Sequence, residues 1–228
     1  MGPWEAKGQH AQVVSIHEGF RRATPALQLT IAEPDQHGTY GSQQIARAVQ
    51  LARRAQQIVL VLGEKAIDSG EASSRAFPGL PADQLQLLRA IKQIGKPFSV
   101  VLIGGRPFVE PLLYQAPAAV IHAWFPGSQG GEAVARVLTG LTDPVGHMPV
   151  STPRSVGQIP ITHDQRPTGR PSLGPPEAFM AGYIDEYATP LYPFGYGLSY
   201  TQFSYAAPKI LNGTDSSADH YEIAVRVR

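Results

Sequence analysis

The sequence predicts an α/β fold, an open and mainly parallel sheet sandwiched by helices, and three observations carry that expectation. The continuous apolar run at residues 58–62 has the look of a strand buried on both faces, and the largely apolar runs 98–103 and 118–124 read as further buried strands. Between them lie stretches whose apolar residues recur at three- and four-residue spacing, the period of a helix face. Each run leads directly into a glycine-containing loop. Strands alternating with helices imply right-handed crossovers and a parallel sheet covered on both faces.

The elements follow in order. Val13, Ile16 and Phe20 fall on one helical face, and Leu27-Gln-Leu-Thr-Ile31 reads as a short strand. Ile45, Ala48, Val49 and Ala52 mark an amphipathic helix before the strand Ile58-Val-Leu-Val-Leu62. Leu85, Leu88 and Ile91 stripe the next helix, which Gly95-Lys-Pro97 terminates before the strand Phe98-Ser-Val-Val-Leu-Ile103. Pro107 suits the entry to a short helix. The strand Ala118-Ala-Val-Ile-His-Ala-Trp124 follows, and Ala133, Val134, Val137 and Leu138 define the last helix.

After Leu141 the texture changes. Residues 143–193 are rich in proline and glycine and show little period, which fits a segment that wraps another surface. Disordered chain is the alternative for residues 165–180. Tyr221-Glu-Ile-Ala-Val-Arg-Val-Arg228 alternates like a half-exposed strand, and a lone strand with one apolar face needs partners. The chain therefore reads as an α/β sandwich over 1–160, a wrapping segment over 161–206, and the cut start of a β domain over 207–228.

Composition narrows the function classes. A net charge of +1 over 228 residues gives no electrostatic case for a nucleic acid or an anionic membrane as partner. The absence of cysteine excludes disulfides, thiolate nucleophiles and zinc–thiolate sites. The seven histidines form no His-x-x-x-His pair, so neither a metal nor another cofactor is expected. No apolar run reaches the roughly 18 residues of a membrane span. The opening Met1-Gly-Pro-Trp-Glu-Ala-Lys7 lacks the basic and apolar regions of a signal peptide, so any export signal is expected upstream.

In an open parallel sheet, ligands bind outside the carboxyl ends of the strands. The three glycine loops should therefore share one edge. The first runs from Gly63-Glu64 to Arg75, the second is Gly104-Gly-Arg106-Pro107, and the third is Phe125-Pro-Gly-Ser-Gln-Gly-Gly131. Their ionisable groups are Glu64, Asp68, Glu71, Arg75 and Arg106. A glutamate whose environment raises its pKa can act as a general acid. Glu71 lies in a Ser-Gly-Glu-Ala-Ser-Ser stretch that can carry it into a neighbouring cleft, whereas Glu64 is fixed directly after its strand. Two plainer roles stay open: that both only solvate a loop, or that one pairs with Arg75. Arg106 suits either a substrate group or an internal ion pair, with the pair preferred. The glycine loops lack the P-loop ending and the Gly-x-Gly-x-x-Gly spacing, so tight turning is their expected role. His122, inside an apolar strand, reads as a satisfied core residue. Trp124 and Phe125 can stack on a sugar ring or simply pack the core.

An ordered set of segments resembles glycoside hydrolase family 3, in its periplasmic β-glucosidase-like branch. The most telling is Pro193-Phe-Gly-Tyr-Gly-Leu-Ser-Tyr-Thr201. Before it come Gly70-Glu71-Ala-Ser-Ser-Arg75, Leu80-Pro81-x-x-Gln84, Gly105-Arg-Pro107, Ala123-Trp-Phe-Pro-Gly-Ser-Gln-Gly-Gly131 and Pro149-Val-Ser-Thr-Pro-Arg-Ser-Val-Gly-Gln-Ile-Pro160. The resemblance implies a retaining β-glucosidase, acting on β-linked oligosaccharides or glucosides and built from a barrel, this sandwich and often a fibronectin-type domain. It also implies that the nucleophile is an aspartate on the barrel, absent here, and that Glu71 is the acid/base. Arg75, Trp124 and Phe125 are the expected substrate contacts, and Met1-Gly-Pro-Trp4 resembles the linker that follows the barrel. The full-length parent is expected in the periplasm or secreted, and the fragment alone is expected to be inactive. Two departures stand out. His147 occupies a position where relatives often carry Lys or Arg, and Glu132 one where Asn is common. The competing readings are a noncatalytic carbohydrate-binding or docking module and, on the α/β pattern alone, a nucleotide binder.

Overall fold

A computed structural model describes residues 7–172, 174–211 and 221–228 of the chain. The expected linker at Met1-Gly-Pro-Trp4 lies outside these residues, as does part of the expected β domain, residues 212–220.

Three strands form the main sheet, β1 (Val59–Gly63), β2 (Ser99–Ile103) and β3 (Ala119–Trp124), parallel and in the order β1-β2-β3. Each apolar run thus becomes a strand, displaced by a residue at most. Register places Leu60, Val100 and Val120 side by side, and likewise Leu62, Leu102 and His122. Because residues two apart share a face, these six point the same way. Against that face pack α2 (Ser42–Arg54) through Ala48 and Ala52, and α3 (Ala82–Lys92) through Leu87, Leu88 and Ile91. Phe108 and the short α4 (Leu112–Gln115), through Leu113, complete the core. Both crossovers, through α3 and α4, lie on this one side. Strand order advances in one direction, and right-handed crossovers then have no other side to take.

The opposite face carries Val59, Val61, Val101 and Ile121. Val101 is fully buried, but Val61 on the edge strand is 42% exposed, so cover is not complete on both faces as expected. Residues 27–31 also depart from the expected strand. They form no strand, and Leu27 and Ile31 remain exposed. Alternating apolar residues satisfy a strand pattern locally, yet a strand exists only where its backbone finds a ladder partner.

The remaining helices, α1 (Ile16–Ala23) and α5 (Gly130–Leu138), pack on each other. Ser15 caps α1 by accepting the Glu18 N–H at 3.1 Å, and Glu18 pairs with Arg22 one turn on. The crossing depends on two glycines. A Cβ on Gly19 would strike the backbone of Gly131, and one on Gly131 would strike that of Val14 and Ser15.

Among the described residues of 143–193 there is one short 3₁₀ turn (Val156–Gln158) and otherwise irregular chain. The aromatic segment after it lies along residues 143–152. Thr152 N–H donates to Tyr192 O, Met148 N–H to Tyr196 O, and Gly195 N–H to Met148 O, each at 2.8 Å. Asp143 anchors its far end, accepting from the Ser199 hydroxyl and the Tyr200 N–H at 2.7 Å and from the Thr201 hydroxyl. Tyr192 meets Tyr114 edge-on at 5.5 Å, which fastens the segment to α4. At the C-terminus, β4 (Lys209–Ile210) pairs antiparallel with β5 (Ile223–Ala224).

Candidate active site

All three glycine loops meet at the carboxyl edge of the sheet, and Gly105 marks the meeting point. A Cβ there would collide with Ser69 Oγ of the first loop and lie 3.0 Å from the Phe125 ring of the third. The convergence expected from the parallel pattern is therefore present in the fold.

The end of β1 is fixed by a residue quoted in the sequence pattern but given no role there. The Gln84 side chain accepts the Gly63 N–H at 2.8 Å and returns its amide to Gly63 O at 2.9 Å. Gly63 has a φ of 146°, and a Cβ on it would overlap the Ile103 carbonyl. Strand β1 thus delivers Glu64 at a defined point, with its N–H on Ile103 O at 2.9 Å.

Glu64 is not a solvated loop residue. Its side chain is 1% exposed and faces two cations, with Arg106 Nε at 2.9 Å and Arg75 Nη1 at 3.8 Å. The Gly105 N–H approaches its second oxygen at 3.4 Å. Arg106 Nε has no aligned hydrogen-bond acceptor despite this distance, so the contact is a charge pairing. Arg106 Nη2 donates instead to two backbone carbonyls, Asp68 O at 2.7 Å and Ser73 O at 2.9 Å. The internal ion pair preferred for Arg106 is what the geometry holds.

Glu71 lies between those carbonyls, exposed, on a turn whose next residue Ala72 is left-handed at φ 57°. Its backbone carbonyl accepts from the Ser73 hydroxyl at 3.3 Å. Arg75 ends the same loop and leans toward Glu64. Trp124 closes β3, also left-handed at φ 52°, and its carbonyl accepts the Gly104 N–H at 3.2 Å. That conformation turns the chain so that the half-buried Phe125 packs over Gly105. Strained backbone held by its surroundings is a common feature of functional edges.

Beside Trp124, at 5.6 Å, sits His122. Its Nε2 lies 3.2 Å from the Tyr114 hydroxyl, which donates to Phe108 O at 3.0 Å. With that proton committed, Nε2–H is the donor to Tyr114. Burial pushes the His122 pKa down to about 4 and raises that of the Tyr114 phenol. His122 is a neutral, satisfied core residue. Among the described residues no group of three His, Asp or Glu side chains is placed to hold a metal ion, and no helix is long and apolar enough to cross a membrane.

This α/β unit, with three loops converging on a carboxylate-bearing edge, defines a class that comparison with known proteins makes specific. Residues 1–200 match the glycosyl hydrolase family 3 C-terminal domain, and the chain belongs to that family. It is 45% identical over 161 residues to a periplasmic β-glucosidase of Salmonella typhimurium, covering 70% of this chain and 21% of the relative. A β-xylosidase of Formosa agariphila is 32% identical over 219 residues, covering 94% of this chain and 29% of the relative. Among solved structures, a mutant β-glucosidase of Listeria innocua in complex with laminaribiose superposes with a TM-score of 0.81 at 30% identity. That match covers 90% of this chain and 28% of the other. The chain thus spans less than a third of the length of these relatives.

Proposed function

We propose that this chain supplies the acid/base half of a retaining β-glucosidase site, with Glu71 as proton donor and acceptor. The observation that carries the reading is the placement of Glu71. It stands exposed on a loop pinned at both ends, on the edge where Arg106, Trp124 and Phe125 also converge. No described residue binds its carboxylate through a hydrogen bond or an ion pair, so the group is available to a ligand.

In the first half-reaction the Glu71 carboxylic acid protonates the glycosidic oxygen as a nucleophilic carboxylate attacks C1. In the second the Glu71 carboxylate takes a proton from the water that releases the sugar. Retention requires the two carboxyl groups about 5–5.5 Å apart, so the nucleophile must approach this loop from a facing domain. The family resemblance assigns that nucleophile to a barrel aspartate. Trp124 and Phe125 offer aromatic faces to the sugar, and Arg75 a cation at the rim. In this reading residues 1–160 are the sandwich, 161–206 the wrap, and 207–228 the start of a fibronectin-type β domain. A periplasmic or secreted parent fits the named compartment of the Salmonella relative.

The test is to graft this chain in place of the matching segment of the Salmonella enzyme. The graft should hydrolyse aryl β-glucosides, and the chain alone should turn them over negligibly. Glu71→Gln in the graft should lower kcat/KM, which reports the first half-reaction, by about 10²–10⁴-fold on glycosides with poor leaving groups and spare it on activated ones. Equal loss of kcat/KM on both substrate types, or robust turnover by the isolated chain, contradicts the assignment.

A further inference from the structure

We propose that Arg106 is the positioning residue for the Glu71 segment, a clamp whose buried counter-charge is Glu64. The proposal rests on the reading of Glu71 as the acid/base. Its ground is the pair of carbonyls that Arg106 Nη2 bridges. Asp68 O and Ser73 O lie on either side of Glu71, and one guanidinium nitrogen holds both, at 2.7 and 2.9 Å. Between them the chain makes no regular structure, and Ala72 adopts a conformation that a free loop would relax. The bond to Ser73 O, one residue beyond Ala72, opposes that relaxation.

The cation needs its own support. Glu64 supplies it, with Arg106 Nε at 2.9 Å and Arg75, the closing residue of the loop, at 3.8 Å. One buried carboxylate therefore secures the loop at its start and its end. The adjoining glycines make the approach possible. A Cβ on Gly104 would meet the Phe108 ring at 2.9 Å and Glu64 Oε2 at 3.3 Å, and one on Gly105 would strike Ser69. The Arg106 side chain is only 21% exposed and its Nη2 is committed to protein carbonyls, so it acts on Glu71 through the backbone rather than on substrate. A lysine cannot replace it, because a single ammonium lacks the planar fork that serves Glu64 and two carbonyls together.

Amide hydrogen exchange on this chain tests the clamp without reference to activity. Two variants are compared with the parent sequence. Arg106→Lys keeps the charge, and the double variant Glu64→Gln with Arg106→Met removes both charges without leaving one buried and unpaired. In both, the amides of residues 67–75 should exchange about tenfold faster or more, while those of α3 and β2 keep their protection. Unchanged exchange at residues 67–75 in both variants overturns the clamp. In the Salmonella graft, Arg106→Lys should lower kcat on poor leaving groups by roughly a hundredfold with KM little changed. Wild-type kcat in a graft that Glu71→Gln does impair overturns the positioning role. If Glu71→Gln is itself harmless, the acid/base reading fails and the positioning role with it, and the exchange result still shows separately whether Arg106 holds the loop.

Discussion

His122 shows how one side chain ties stability to pH. Burial drives its pKa from the ordinary 6.5 down to about 4 in the folded chain. Between those values the unfolded chain binds a proton that the folded chain refuses, so acid favours unfolding. The stability His122 allows is full above pH 6.5 and falls as pH drops through about 4, by about 3 kcal/mol in all. Replacing it with a residue that does not titrate, His122→Gln, should flatten the dependence of the urea midpoint on pH across that window. An unchanged acid slope would show that other groups set it. Glu64 and Glu71 make the companion contrast. Both follow β1 in one loop, yet the first is sealed against two arginines and the second faces outward. Sequence spacing left either free to solvate the loop or to pair with Arg75, and only the packed edge separated them.

Among the elements, the α1–α5 crossing carries the sharpest requirement. Gly19 and Gly131 let two backbones touch, and neither has room for a methyl group. Gly19→Ala should destabilise the chain by about 2–3 kcal/mol, read from denaturant unfolding, because the colliding atoms are backbone and cannot rotate away. Full stability in that variant would mean that α1 is not held at this distance. Helices and strands were largely readable beforehand, since apolar period reports which side of an element is buried. Helix α3 illustrates this, with Leu88 and Ile91 both on the predicted stripe and in the core. Residues 27–31 mark where local pattern stops deciding structure. Their alternation is that of a strand, but pairing is a relation between two segments, and no pattern within one of them records it.

Taken as a whole, the molecule leaves much apolar surface uncovered. Ile67 is 84% exposed and Phe77 79%, both beside the carboxyl edge, and Ile184 reaches 97% in the irregular segment. Patches of this kind mark surfaces that meet another body. We therefore expect the isolated chain to self-associate, as sedimentation velocity would register. Ile67→Ser with Phe77→Ser should reduce that association and shift stability by no more than about 0.5 kcal/mol, since neither side chain is buried here. In the Salmonella graft the same pair should lower thermal stability, where these residues gain a partner. No change in the graft would place the domain contact elsewhere.

The amino-acid order alone determined the three parallel strands, the helix stripes between them, the meeting of three glycine loops at one edge, and the family. These are properties of local periodicity and of turn chemistry, which neighbouring residues encode directly. Tertiary structure decided that residues 27–31 stay unpaired, that Gln84 locks the end of β1, and that Arg106 reaches across to the carbonyls around Glu71. Each is a contact between segments far apart in the chain. Its energy depends on distance and on exclusion from water, and neither quantity exists until the chain has folded.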